Sequence, residues 1–367
     1  SVEQHLKDTL EAGAGINDPV LARILTEEGG PKVLSLEKYG VRLLRSDGSL
    51  VRRIPPGHSR ARSIPTDLRQ YAHNTRGLSI TIPLVELAMK RGIQMLIHTQ
   101  IHKILVREGI VCGALAIDAR MGTQILISAK AVVLASGGGG RLFEHSNNTL
   151  DMTGDSFALA LEAGAALRDM EFIQFYPTRG ISPVRANISS PLFGEGAVLR
   201  NISGERFMLR YDIKADMATR DVMSRAIFSE VLAGRGVEGG VYIDLSAVHR
   251  TTLELKFPTT LKLLQAHGID ANKQWLVVSP AAHFIMGGAW IDSCCMTGIA
   301  GLFAAGEAAG GVHGANRLAG NALTETVVFG IKAGHGAAAY TRRSKGVPEP
   351  IVSGLEVPGI RRGSATV

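Results

Sequence analysis

The sequence predicts an α/β fold carrying an inserted segment of α+β character. Three observations predict it. A short apolar strand, AVVLAS (131–136), runs directly into Gly137–Gly140, and a second, GLFAAG (301–306), ends at Glu307. Strands that end in glycine can bring bare backbone against a ligand. The second strand leads through a glycine-rich turn into the apolar stretch ALTETVVFGIKAGHGAAAY (322–340), a strand–turn–helix order expected of α/β sheets. Between these units, residues from about 171 to 278 mix helix and strand signals and read as an insertion.

Taken in order, residues 1–38 read as helices, the second opened by Asp18 as N-cap with Pro19 at the first helical position. Residues 41–56 read as a hairpin turning at Asp47–Gly48, and residues 78–91 as a helix. Consecutive strands follow from Gly92 to Ser136, with turns at Glu108–Gly109 and Met121–Gly122. After the glycine run, Thr153–Gly154–Asp155 opens a helix, SFALALEAGAAL. The insertion begins at MEFIQFYPTRG and contains a helix in ATRDVMSRAIFSEVLAGRG and a strand in GGVYIDLS. The last residues, 342–367, are rich in Pro, Gly and Ser and read as a linker or tail.

With 367 residues, 45% hydrophobic and 20% charged, the chain has a globular composition able to bury a substantial core. The formal charge of +7 is spread out, with one denser patch at Arg52, Arg53, Arg60, Arg62 and Arg69. No aromatic stacking platform accompanies that patch, so attraction of an anionic small molecule explains the charge better than nucleic acid does. Three cysteines, Cys112, Cys294 and Cys295, form no CxxC, which fits a reducing cytoplasm and argues against a metal or cluster held by this chain. No apolar run reaches the ~18 residues of a membrane span.

The densest chemistry lies in PAAHFIMGG (280–288) and LFAAGEAAGGVHGANRLAGNALTE (302–325). These phrases closely resemble those of the flavin-dependent succinate dehydrogenase, fumarate reductase and L-aspartate oxidase family, whose shared wording is PAAH-x-x-x-GG, AAGE and HGANRL-[GA]-x-N-[SA]-L. The likeness extends over almost the whole chain. It implies a Rossmann-like FAD-binding domain built from residues 1–170 and 279–341, with 171–278 as a capping domain inserted over the flavin. It also implies that the first βαβ unit, with its G-x-G-x-x-G, lies upstream of Ser1, leaving the FAD-binding domain incomplete at its N-terminus. The resemblance further implies a helical C-terminal domain that the tail does not supply.

Site residues follow by resemblance. Ser136, Gly137, Gly138, Asp155, Glu307, Ala322 and Leu323 fall on FAD contacts. Arg220, in ATRD, falls on the catalytic arginine that exchanges a proton with substrate. Arg317 falls on a carboxylate clamp, where a planar fork suits bidentate binding, and His283 on a second carboxylate contact. From spacing alone, Arg220 reads better as a first-turn arginine paired with Asp221 or Glu230, and the intact family phrase reverses that preference; Arg225 stands as the other candidate. No metal is expected. A small carboxylic acid is the implied substrate and an iron–sulfur subunit the implied electron partner, with a cytoplasmic location or a peripheral one reached through that partner.

Departures from the family pattern mark the substrate end. Where succinate- and fumarate-handling members carry His in QF-x-PT, this chain has Tyr176, and their Thr-Glu-x-x-Arg becomes Ser189, Ser190, Pro191, Leu192 and Phe193. Tyr176 and Ser189 are then the expected substrate contacts, hydrogen-bonding without positive charge, which suits an acid with one carboxylate and an uncharged far end. Two other readings remain at this point. L-aspartate oxidase chemistry is disfavoured by Ser190 standing where the Glu would be. A non-catalytic remnant is the third, and a yellow, flavin-binding protein would exclude it.

Overall fold

The computed structural model describes residues 1–69, 77–344 and 346. The chain opens with α1 (Val2–Ala12), capped by the Ser1 side chain, and α2 (Pro19–Ser35), whose cap Asp18 accepts from the amides of Val20 and Leu21. Pro31 does not break α2; a 3-10 turn extends it until Gly40, at φ 92°, reverses the chain. The hairpin of β1 (Arg45–Ser46) and β2 (Ser49–Leu50) turns at Asp47 and Gly48, both with positive φ, as a type I′ turn requires.

After α3 (Leu78–Lys90), the antiparallel sheet β3 (Thr99–Arg107), β4 (Ile110–Asp118) and β5 (Gln124–Ser128) forms the expected meander. Its first turn is Glu108–Gly109, again with both φ positive. Next comes β6 (Val132–Leu134), then α4 (Asp155–Glu162), which stops well short of the predicted helix end because Gly164 takes a φ of 90°. The short β7 (Leu167–Arg168) follows.

The segment from 171 onward is organised on a four-stranded antiparallel sheet in the order β8 (Ile173–Ser182), β11 (Leu276–Ile285), β10 (Val241–Asp244), β9 (Val198–Arg200). Helices α5 (Arg220–Leu232), α6 (Arg250–Lys256) and α7 (Pro258–Ala266) lie between its strands in sequence. β12 (Gly288–Ala289) pairs with β7, and β13 (Leu302–Ala304) runs parallel beside β6 before α8 (Asn321–Arg343) closes the described fold. Most of the expected tail, 345 and 347–367, lies outside the described residues.

Two hydrophobic clusters divide the molecule. One is drawn entirely from residues 184–278, with Phe207, Met208, Met223 and Ile227 at its centre; the other joins Leu21 and Leu25 to residues 104–165 and 289–333. β11 starts in the first, and the chain beyond it enters the second at Ala289, so the end of the strand carries side chains to the boundary. Three of the five arginines in the basic patch are spent on structure. Arg53 donates to the Lys256 carbonyl and lies over the Phe257 ring, Arg62 pairs with buried Asp8, and Arg69 pairs with Asp67.

Candidate active site

Three side chains at the boundary come from β8 and β11. Gln174 and Tyr176 are two residues apart on β8 and share a face. On β11, Ala282 pairs with Phe175 and Phe284 with Gln174, so His283 is the extra residue of a β-bulge. A bulge re-aims the side chain it carries, and here it turns an imidazole towards Tyr176, the two ring centroids lying 5.1 Å apart.

Arg220 is the first residue of α5, and Arg317 follows Asn316 in the turn before α8. Their guanidinium groups converge on one atom: Arg220 Nη1 donates to Gln174 Oε1 at 3.0 Å, and Arg317 Nη2 donates to the same oxygen at 2.8 Å. Gln174 is 2% exposed. Its Nε2 donates to Asn316 Oδ1 and to the Arg317 carbonyl, each at 2.7 Å, so both ends of the amide are saturated. Arg220 lies over the Tyr176 ring at 5.0 Å and Arg317 over the Phe284 ring at 4.5 Å. The Nε of each arginine is buried without a hydrogen-bond partner.

Neither carboxylate proposed as a plain partner for Arg220 holds it. Asp221 accepts from Arg225, Thr219 and Asn316, while Glu230 is gripped by Arg210, Arg235, Tyr211 and Asn201. Arg225, with a side chain 71% exposed, points to solvent. Two guanidinium groups thus share a neutral acceptor, and neither forms an ion pair with Asp221 or Glu230. Burial pushes the Arg220 guanidinium below its ordinary range. Burial, then the charge of Arg220, brings Arg317 down to about 9. His283 is held well below the usual imidazole value by burial and then by Arg220 and Arg317. Desolvation and like charge both oppose the protonated forms.

Tyr176 is placed beside these groups, but its hydroxyl, expected to serve a substrate, is already used. It donates to the Ile188 carbonyl at 2.5 Å and accepts from the Ser190 amide at 3.0 Å. What Tyr176 offers the site is its ring. Ser189 lies between those two anchor points and is buried, and the Ser190 hydroxyl is buried without a partner.

The residues expected to hold a flavin gather at the ends of β6 and β13, which pair in parallel with Leu134 opposite Ala304. Ligands in α/β sheets bind beyond such carboxyl-terminal strand ends. Gly137 has a φ of 81°, and a Cβ on Gly138 would fall on the Glu307 carboxylate. Ser156, where the family usually has Gly, ties this backbone down, its hydroxyl donating to the Gly137 carbonyl and bonding the Ser136 hydroxyl. Asp155 is exposed in the first turn of α4 and accepts from Thr153.

Glu307 is more enclosed. The Ile285 amide donates to its Oε1 at 2.9 Å, and burial pushes its carboxyl up to about 7. Such a carboxyl has oxygen capacity left for hydroxyl donors, and the bare backbone of Gly138 lets it sit against the strand end, so these residues fit the polyol of FAD. Ala322 and Leu323 sit in the first turn of α8, opened by Gly320 at φ 89° with no side-chain cap, and Leu323 is 60% exposed. The next turn of the helix meets Gly306 through the Thr326 methyl. Uncapped amides at a helix start suit a carbonyl or anion.

Gln174, Asn316 and Asn147 were not among the expected site residues. A polar residue inside the apolar run FIQFYPT is the one signal for Gln174. His283 Nδ1 lies 2.9 Å from Asn147 Oδ1, a contact that no local pattern announces. Among the described residues no group of His, Cys, Asp and Glu could hold a metal, and no helix is long and apolar enough to cross a membrane.

Comparison with known proteins follows the same lines. A family model described as the FAD binding domain matches residues 1–323. One chain of the CoM/CoB fumarate reductase of Methanothermobacter marburgensis is 40% identical over 343 residues, 92% of this chain and 62% of that one. An L-aspartate oxidase of Nostoc sp. is 37% identical, covering 89% of this chain and 56% of that protein. Among solved structures, the FrdA chain of E. coli quinol fumarate reductase superposes with a TM-score of 0.84 at 31% identity, covering 94% of this chain and 62% of its own. Mycobacterium smegmatis Sdh1 gives 0.74 at 35%, with 95% and 61% covered. The chain spans less than two thirds of the length of these relatives.

Proposed function

Since this chain belongs to the FAD-binding flavoprotein family of fumarate reductases, succinate dehydrogenases and L-aspartate oxidases, with FAD as its cofactor, we propose that it oxidises or reduces a C–C bond next to a carboxylate, with Arg220 as proton shuttle. The observation that carries this reading is the convergence of two buried guanidinium groups on Gln174 Oε1. FAD, when bound, supplies hydride exchange with the substrate. Ser136, Gly137, Gly138, Asp155 and Glu307, with the start of α8 at Ala322 and Leu323, would hold it.

The chain's own residues do the remaining work. Arg317 grips a substrate carboxylate as a fork and polarises the adjoining double bond. Arg220 is a poor acid in water, but burial lowers its affinity for a proton, so an Nη–H can be given to the neighbouring carbon during reduction or regained during oxidation. Tyr176 and Gln174 hold that guanidinium in one place, which is the larger part of such catalysis. His283 and Ser189 border the substrate.

The far end of the substrate meets the Tyr176 ring and the serines at 189 and 190, none of which is cationic, which favours an acid with one carboxylate. Asp221, next to Arg220 in sequence, is already claimed by Arg225, Asn316 and Thr219 and is not free for a substrate ammonium, which weighs against amine oxidation. An iron–sulfur subunit is the electron partner we propose, on the likeness to fumarate reductase and succinate dehydrogenase chains. Arg220→Ala tests the central role: turnover is lost while FAD stays bound, and unchanged turnover would remove Arg220 from the mechanism.

A further inference from the structure

We propose that Asn147 fixes the protonation of His283 so that the ring can hold a carboxylate only by taking up a proton at Nε2. The inference rests on the reading of this pocket as a carboxylate site and adds how it is titrated. The tautomer follows from a chain of hydrogen bonds. The carbonyls of Ala282 and His283 can only accept, so the Asn148 nitrogen 3.3 and 3.0 Å from them is the donor Nδ2. That same Nδ2 is 3.3 Å from Asn147 Oδ1, which is therefore an acceptor, while Asn147 Nδ2 donates to Asn187 Oδ1 at 3.1 Å. An acceptor 2.9 Å from His283 Nδ1 requires that nitrogen to carry the proton. In the neutral ring Nε2 is then a bare lone pair, and among the described residues it makes no hydrogen bond.

A lone pair repels a carboxylate. The groups around the ring keep it in that state: Arg220 from α5 and Arg317 from the turn before α8 are cationic, Tyr176 from β8 meets it edge-on, and the 145–148 loop bonds it through the Asn147 amide. Glu307 bonds the amide two residues along β11 and is itself half neutral near pH 7. An arriving carboxylate offsets both arginines. Nε2 then takes a proton from solvent, and the imidazolium N–H donates to the carboxylate oxygen, with no other bond made or broken.

The test is calorimetric. Crotonate and succinate are titrated into the FAD-loaded protein at pH 7.5 to 8.5, in two buffers of different ionisation heat, to count protons exchanged. About one proton is taken up per carboxylate bound, and the apparent Kd weakens about tenfold per pH unit as pH rises. In Asn147→Asp the new carboxylate keeps the free ring protonated, so uptake falls towards zero and the pH dependence flattens. Asn147→Leu releases Nδ1 and lets the ring adopt the Nε2–H tautomer, again without uptake. Binding to the unaltered protein without proton uptake overturns the proposal but leaves the carboxylate site standing, as does uptake unchanged in both variants. Failure of either acid to bind at all overturns both.

Discussion

Arg220 draws its chemistry from the carboxylates that other residues have taken. Asp221 and Glu230, the two acids offered as its plain partners, are occupied by Arg225, Arg210 and Arg235, and Arg220 is left with a neutral amide and an aromatic face. Arg220→Lys keeps the charge but not the fork, and kcat is expected to fall about a hundred- to ten-thousand-fold with the flavin spectrum unchanged. Tyr176 separates two roles. Tyr176→Phe leaves the ring under Arg220 but strands the Ser190 amide, costing about 1 kcal/mol in denaturant unfolding with turnover retained. Tyr176→His offers a donor free to bind a second carboxylate, and kcat/KM for fumarate or succinate should rise relative to crotonate; a fall would point to another native acid. At this scale, Arg220, Arg317 and His283 were legible because each sits in a phrase. Gln174 opens a phrase too, QFYPT, but its role was not legible, since a buried glutamine declares its purpose only when residues 46 and 143 positions away reach it.

Elements were easier to read than the contacts between them. Helix α2 announced itself through Asp18 and Pro19, and three hairpin turns through Asp–Gly, Glu–Gly and Met–Gly pairs, because caps and positive-φ turns are local chemistry. The bulge at His283 was invisible: the phrase PAAHFIMGG marks the histidine but not the strand it sits in, and pairing register belongs to two strands rather than one. The parallel pairing of β6 with β13 was equally unreadable, though both glycine-terminated strands were found. Gly138→Ala tests this junction. Its methyl would collide with Glu307, an overpacking worth about 1–3 kcal/mol, so FAD should bind at least about tenfold more weakly by spectroscopic titration, with Tm lowered by a few degrees.

The molecule as a whole is two cores joined by β11, and their resistance to acid should differ. Glu230, fully buried in the 184–278 lobe, is held down to about 2 from the usual 4.5, first by Arg235. A depressed carboxyl stabilises above its unfolded value and loses that contribution as pH falls through the folded one. This lobe should therefore weaken between about pH 4.5 and 2, and Glu230→Gln should reduce that dependence, read by following Trp275 fluorescence during acid titration. The +7 charge, read as attraction of an anion, proved partly architectural, with Arg53 and Arg62 fastening the 53–62 segment to the two halves of the fold.

The surplus residue at position 283 has one more implication, for anyone altering this protein's length. Removing a single residue from the stretch 281–285 would erase the irregularity between Ala282 and Phe284 and let that end of β11 pair with β8 in step. Such a shortened chain should melt later than its parent yet sit catalytically silent, its imidazole rotated out of the cleft. In this fold, tidier pairing and chemistry are competing outcomes.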